Sequence, residues 1–405
     1  MSFHKEHKWW VSPSNYDPEV TKEFRFPKRV EFLDTTLRDG EQQPGIIFTK
    51  EEKVTIAKKL SEAGVHRIEA GTPAVLKEDE DAIRQICSLG LNSKIYAFVR
   101  NMVKDMELAK KCGVNGVIAE MIGSEHLLKF GKKWEYRRAV DSCVEATLAG
   151  HEMGLDITFF PADSSRADLN YLLDFVQEIY EKGHIDSVTL VDTFGVLSPE
   201  GASHRVRKMK ERFPDLPVEV HFHDDFAMGV STSIAALAAG AEVAHVTVNG
   251  IGERAGGAQL EAIALGLAAL YGVDTGVDMS KFKSLADFVA ECSRIPIPPT
   301  KPIVGDKIFL WETGLPSSLW TNCKDTDPLI MLPYHWDIIG QTEPQLLMSK
   351  KSGKDNLKVW LKKCNMEVPE EKFSALLLAL KELSLKKHKT LDEEEFISVA
   401  REFQE

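Results

Sequence analysis

Eight short apolar runs alternate with longer stretches of helical periodicity between residues 29 and 269, and this regularity narrows the possible folds more than any other feature. The runs are RVEFLDT (29–35), HRIEA (66–70), KIYAFV (94–99), GVIAE (116–120), DITFF (156–160), DSVTLV (186–191), VEVHFH (218–223) and VAHVTV (243–248). Between them apolar residues recur three and four apart, as at Val54, Ile56, Ala57 and Leu60, or Leu172, Phe175, Val176 and Ile179. That is the spacing of a helix burying one face. Strict alternation of strand and helix implies parallel pairing through right-handed crossovers. Eight such units within about 250 residues predict an α/β fold of the TIM (β/α)8 type, a closed barrel in preference to an open doubly wound sheet.

A barrel of this kind builds its active site from the carboxyl ends of the strands and the loops that follow. The polar residues gather there. Arg38, Asp39, Glu41 and Gln42 follow the first run, Glu69 ends the second, Arg100 ends the third, and Glu120 and His126 follow the fourth. Asp163 and Arg166 come after the fifth, Asp192 and Thr193 after the sixth, His221, His223, Asp224 and Asp225 close the seventh, and Asn249, Glu253 and Arg254 follow the eighth.

Past Ala269 the repeat stops, and the proline-rich SRIPIPPTKPIVG (293–305) cannot continue a helix. Apolar residues at Phe373, Leu376, Leu377, Leu380 and Leu383 then predict a helical tail. The expected organisation is an N-terminal arm (1–28), a catalytic barrel (29–275), a linker or subdomain (276–325) and a smaller, mainly helical C-terminal subdomain (326–405). A formal net charge of −12 opposes binding to polyanions, so nucleic acid is not an expected partner. Six scattered cysteines without paired spacing predict reduced thiols. No run approaches the ~18 apolar residues of a membrane span, and residues 1–20 lack a signal-peptide core, so a cytoplasmic protein is expected.

Two histidines two apart on a strand point to one face, so His221 and His223 present both imidazoles to the barrel interior. With carboxylates nearby, of which Asp39 can complete the set, this predicts a divalent-metal site. Two imidazoles and a carboxylate suit Mn, Zn, Fe, Co or Mg, and spacing does not choose among them. Such an ion can hold a 2-oxo acid and polarise its carbonyl. Arg38, beside the ligand, is either a salt bridge at the barrel mouth or a positive charge placed where an oxyanion develops. The segment Asn249–Gly257 carries four glycines, which permit close approach of backbone to a ligand.

Together DTTLRDGEQ (34–42), IEAGTP (68–73), DSSR (163–166), DTFG (192–195), HFHDD (221–225) and NGIGERAGG (249–257) resemble the acyl-CoA condensing branch of the DRE-TIM metallolyase superfamily, the 2-isopropylmalate, homocitrate and citramalate synthases. The resemblance covers the barrel fully and the tail loosely. It implies Asp39, His221 and His223 as metal ligands, Arg38 as electrostatic catalyst, and Gln42, Glu69, Arg166 and Thr193 as the residues that position the oxo acid; Arg100 and Asp163 join the expected substrate set by their place at strand ends. It implies a Claisen-type condensation of acetyl-CoA, or another acyl-CoA, with a 2-oxo acid, followed by thioester hydrolysis. A homodimer or higher homo-oligomer is expected. The alternatives are a metal-dependent C–C lyase or aldolase of the same superfamily, whose lyase branch uses a cysteine in the glycine loop, and a catalytically degenerate barrel kept for binding.

The chain departs from the family pattern at Ala162, where a glutamate precedes the aspartate, and at Asp224, Gly257 and Thr232, each in place of asparagine. Pro316, at the end of VGDKIFLWETGLP (304–316), stands where the family has a catalytic histidine. Glu253 and His126 are therefore the expected proton-transfer residues, with Tyr334 and His335 as further candidates by type. Ala162 predicts a larger and less negative pocket, and so an acceptor with extra bulk or a second acidic group.

Overall fold

In the computed structural model, which describes residues 2–404, all eight predicted strands form and close on one another. They are β1 (Glu31–Asp34), β2 (Arg67–Glu69), β3 (Lys94–Arg100), β4 (Gly116–Ile122), β5 (Asp156–Ala162), β6 (Ser187–Asp192), β7 (Val218–Phe222) and β8 (Val243–Val246). Each pairs in parallel with the next, and β8 returns to β1 with Val243 opposite Glu31 and Val246 opposite Asp34. Strands β4 and β5 each run two residues further than their apolar runs suggest.

The crossover helices are α1 (Lys50–Glu62), α2 (Lys77–Ser88), α3 (Val103–Cys112), α4 (Tyr136–Glu152), α5 (Leu169–Lys182), α6 (Pro199–Arg212), α7 (Gly229–Ala238) and α8 (Leu260–Leu270). Their starts are written locally. Thr49 and Glu52 form a reciprocal capping box on α1, Asp168 accepts from two backbone N–H groups of α5, and Ser198 precedes a proline at the head of α6.

The lumen is filled in layers. An apolar layer of Leu33, Tyr96, Ile118, Phe160, Ala162, Val191 and Val243 is joined by a buried polar cluster around Glu219. Its carboxylate accepts from Arg67 (2.9 Å), Ser187 (2.8 Å) and His245 (2.8 Å). Burial opposes its charge, but His245, Arg67 and Ser187 more than offset that and hold the carboxyl at about 2. Along β7 and the residue just past it the inward positions are Glu219, His221 and His223, so this cluster braces the strand that leads to both histidines.

A second brace ties the loop after β1 to the turn after β8. Asp34 accepts from the Thr36 N–H (3.0 Å) and hydroxyl (3.1 Å), and the Thr36 hydroxyl accepts from the Val248 N–H (2.9 Å). Burial pushes the Asp34 carboxyl up to about 7 against those two hydrogen bonds, with Glu261 and Glu69 adding to the rise.

The chain divides into two compact units, Ser14–Ile297 and a second made of Ser2–Pro13 with the residues from Pro298 onward. The division falls inside 276–325 because α9 (Phe282–Ser293) belongs with the barrel: the Asn249 side-chain amide donates to the Ala286 carbonyl at 2.8 Å. In the second unit, α10 (Gly314–Cys323), α11 (Lys354–Lys363), α12 (Phe373–Lys387) and α13 (Glu393–Arg401) accompany a two-strand pair, Leu310–Trp311 with Gln345–Leu346. Its core is Met348, Leu357, Trp360, Leu361, Phe373, Leu376, Leu380, Phe396 and Ala400. The tail is thus mainly helical, as its periodicity predicts. Among the described residues no helix is long and apolar enough to cross a membrane.

Candidate active site

At the end of β1 the backbone turns so tightly that the N–H groups of Arg38 and Asp39 both reach the Thr35 carbonyl, at 3.1 and 2.8 Å. Both side chains are thereby directed inward and buried. The Arg38 guanidinium is held on three sides: Nε donates to Glu69 at 2.8 Å, Nη1 to Gln42 at 2.9 Å, and the group lies 4.5 Å over the Phe98 ring. Its remaining nitrogen, Nη2, is buried and has no hydrogen-bond partner. A buried guanidinium nitrogen without an acceptor is costly, so this one is free to meet an oxygen that a ligand would bring.

Asp39, His221 and His223 converge, with one ligand atom from each lying within 4.8 Å of the others. The two Nε2 atoms are 3.3 Å apart, and they stand 3.9 and 4.0 Å from the Asp39 carboxylate. Asp39 Oδ2 is buried without a partner. His223 Nδ1 is 3.2 Å from the Gly256 carbonyl, an acceptor, which puts the proton on Nδ1 and leaves the Nε2 lone pair facing His221 and Asp39. Burial, with His223, Arg38 and His245 nearby, holds His221 well below its ordinary value, in the neutral form that ligates metals. Two imidazole nitrogens converging beside an orphaned carboxylate oxygen is the donor set of a divalent cation, and these residues fit one.

The glycine loop after β8 closes over this set. A Cβ at Gly252 would meet Asp39 Oδ2 at 3.0 Å. Gly256 has φ +90 and carries the carbonyl that orients His223, and a Cβ there would fall 2.0 Å from the Gly250 oxygen. Only glycine fits.

A cavity of about 280 Å³ opens at this end of the barrel, lined by Arg38, Asp39, Gln42, Thr193, His221, His223 and Glu253 with Phe98, Glu120, Phe160, Ala162 and Val191. Seven of the expected site residues therefore meet. Glu69 reaches it through Arg38. Asp163 and its partners form a neighbouring cluster: the buried Asp163 carboxylate, on a backbone with φ +62, accepts from Ser124 (2.7 Å) and pairs with both sides of the Arg166 guanidinium (2.6 and 2.9 Å). His126 Nε2 lies 3.0 Å from the same carboxylate. This cluster touches the cavity through Thr193, whose hydroxyl oxygen accepts from the Asp163 N–H at 2.7 Å. Arg100 is not brought in; it forms a two-point ion pair with Asp105 at 2.8 and 2.9 Å, and its side chain is 54% exposed. Tyr334 and His335 belong to the second unit, where His335 caps a short turn.

A family model described as HMGL-like matches residues 29–289, the barrel together with most of α9. The chain belongs to the HMGL-like family. It is 34% identical over 399 residues to a homocitrate synthase, AksA, of Methanothermobacter thermautotrophicus, covering 97% of this chain and 98% of that protein. It is 33% identical over 382 residues to 2-isopropylmalate synthase 2 of Caldanaerobacter subterraneus, covering 92% of this chain and 96% of that one. A solved HMG-CoA lyase from Bacillus subtilis shares the fold, with a TM-score of 0.62, 22% identity, and coverage of 67% of this chain and 96% of that chain.

The HMGL-like site departs from the sequence reading in two respects. Asp224 accepts from the Gly229 N–H at 2.6 Å and so holds the start of α7, away from the cavity lining. Glu120 enters that lining, so the pocket keeps a carboxyl group in its wall although none stands at Ala162. The sequence put Glu120 at the very end of the fourth run. The strand continues to Ile122, and Glu120 shares the inward parity of Ile118 and Ile122, which is the signal that identifies it.

Proposed function

We propose that the protein condenses an acyl-CoA, most simply acetyl-CoA, with a 2-oxo acid, using a divalent cation held by Asp39, His221 and His223. One observation carries the reading: an orphaned Asp39 oxygen, two convergent imidazoles and the unpartnered Arg38 Nη2 all face a single cavity. A cation bound there would supply Lewis acidity that polarises the 2-oxo acid's carbonyl.

The chain's own residues account for the rest. Arg38, held by Glu69 and Gln42, presents Nη2 to the carbonyl oxygen as negative charge grows on it. The Thr193 oxygen already accepts a hydrogen bond, so its proton is available to the acid's carboxylate. Glu253 lines the cavity with its side chain 44% exposed, where a thioester can reach from solvent. It takes a proton from the acyl methyl group. The resulting carbanion forms a C–C bond to the carbonyl carbon, whose oxygen acquires a proton. Water then cleaves the thioester, releasing the carboxylate and the CoA thiol.

The two synthase relatives are named for different products, homocitrate and 2-isopropylmalate, which supports the class of acceptor without choosing one. The lyase reading is weaker. The loop Asn249–Gly257 has no cysteine, and no cysteine lines the cavity.

The test is release of free thiol from acetyl-CoA over a panel of 2-oxo acids, with chelator-treated protein and with the same protein after adding back Mg, Mn, Zn or Co. Release that requires both an oxo acid and a cation is expected. Release independent of the oxo acid, or unaffected by metal removal, would overturn the proposal.

A further inference from the structure

We infer that Glu120 selects the acceptor, and that the acceptor is a 2-oxo acid whose side chain ends in a hydrogen-bond donor, a hydroxyl or a cationic nitrogen, on a short apolar stem. The inference rests on the proposed condensation and names the substrate class for it.

Glu120 is unlike the other carboxylates at this end of the barrel. Asp39 and Glu69 are paired with Arg38, Asp163 with Arg166, Asp225 and Glu253 with Arg254, while Asp192 and Asp224 accept from backbone N–H groups. The Glu120 carboxylate has no hydrogen bond or ion pair among the described residues, although it lines the cavity. Burial pushes its carboxyl up, and the more distant Lys132 and Arg38 only partly counter that. A half-buried acid in a cavity wall without a protein partner is poorly compensated in the empty protein and is relieved by whatever donor enters.

Position says which part of the acceptor that donor is. The reacting end of the acid is fixed at the metal ligands, on β7 and the loop after β1. In an eight-stranded ring β4 lies across the lumen from them, directly opposite β8. The wall between is apolar: Phe98 on β3, Phe160 and Ala162 on β5, Val191 on β6. A side chain leaving the carbonyl therefore crosses methylene-compatible surface and ends at a carboxylate. A second carboxylate on the acceptor would meet like charge there, whereas a hydroxyl or a cation would complete Glu120.

The test compares kcat and KM for pyruvate, 2-oxobutanoate, 4-hydroxy-2-oxobutanoate, 5-guanidino-2-oxopentanoate and 2-oxoglutarate in the unmodified protein, Glu120→Gln and Glu120→Leu. The unmodified protein should prefer a donor-bearing acid over 2-oxobutanoate and disfavour 2-oxoglutarate by roughly 100-fold. Glu120→Leu should lose about tenfold or more on the donor-bearing acids, mainly in KM, and narrow the handicap of 2-oxoglutarate. Glu120→Gln should abolish any preference for the cation over the hydroxyl. The hydroxyl and guanidino acids separate the two kinds of donor. The inference is overturned if 2-oxoglutarate is the best acceptor of the unmodified protein, if the ranking survives both substitutions, or if kcat falls equally for every acid, which would make Glu120 a proton-transfer group. Thermal unfolding of each variant checks folding. If no acid releases thiol, the condensation itself is refuted. Calorimetric titration of the same acids into metal-loaded protein then reads the ranking without turnover, and an order indifferent to Glu120 overturns the inference.

Discussion

Arg38 Nε and Glu69 Oε2 lie 2.8 Å apart, joining the loop after β1 to the end of the neighbouring strand β2 with both side chains buried. The pair fixes the plane of the guanidinium, and with Gln42 it leaves one nitrogen for the cavity. Lysine has a single point of charge and cannot span Glu69, Gln42 and a ligand oxygen together. Arg38→Lys should therefore lower kcat by about 100-fold or more, with KM for the oxo acid changed far less. A loss confined to KM would mean that Arg38 only binds substrate.

Metal content should separate Arg38 from the proposed ligands. His223→Ala should lose both the ion and turnover, while Arg38→Ala keeps the ion and loses turnover. Elemental analysis of the purified variants reads this directly. Equal metal content in the two variants would contradict the assignment of His223.

Gly256 positions His223 through its carbonyl, and at φ +90 it has no room for a Cβ. Gly256→Ala should lower the melting temperature and weaken metal affinity by roughly 10- to 100-fold, the usual cost of disturbing a ligand's orienting partner. Unchanged affinity, measured by competition with a chelating dye, would show that the loop does not orient the histidine.

Asp34 makes stability depend on pH. Its folded value is about 7 against an ordinary 3.8. Below about pH 4 the carboxyl is protonated in folded and unfolded chains alike. Between about pH 4 and 7 the unfolded chain gives up a proton that the folded chain keeps, so stability falls as pH rises, by ~4 kcal/mol at most once pH 7 is passed. Asp34→Asn cannot ionise. Its melting temperature relative to the unmodified protein should rise from pH 5 to about pH 7 and level off above it, and a constant difference would contradict the buried-carboxyl account.

The barrel was legible because apolar alternation and helical spacing are local patterns, repeated eight times without interruption. The convergence of Asp39, His221 and His223 was legible for a related reason: the two histidines share strand parity, and Asp39 stands just past a strand end. What stayed hidden depends on where strands stop and which way long side chains turn. The strand that begins with the apolar run of β4 continues two residues past it to Ile122, so Glu120, the run's last residue, keeps strand parity and faces the lumen. Arg100, at a strand end like Glu69, turns to Asp105 because a carboxylate five residues on is within reach of its long side chain. His126 meets Asp163, 37 residues away, and that partnership is set by the packing of two adjacent loops rather than by any local pattern.

Formation of a carbon–carbon bond is the central claim, and acetyl-CoA labelled with 13C at the methyl carbon tests it most directly. Incubated with the metal-loaded protein and an accepted 2-oxo acid, the label should appear by NMR as a methylene attached to a fully substituted carbinol carbon, with one free thiol released per label transferred. Label recovered as acetate would mean that the protein hydrolyses the thioester without condensation, and label remaining in acetyl-CoA while the acid is consumed would place the chemistry elsewhere.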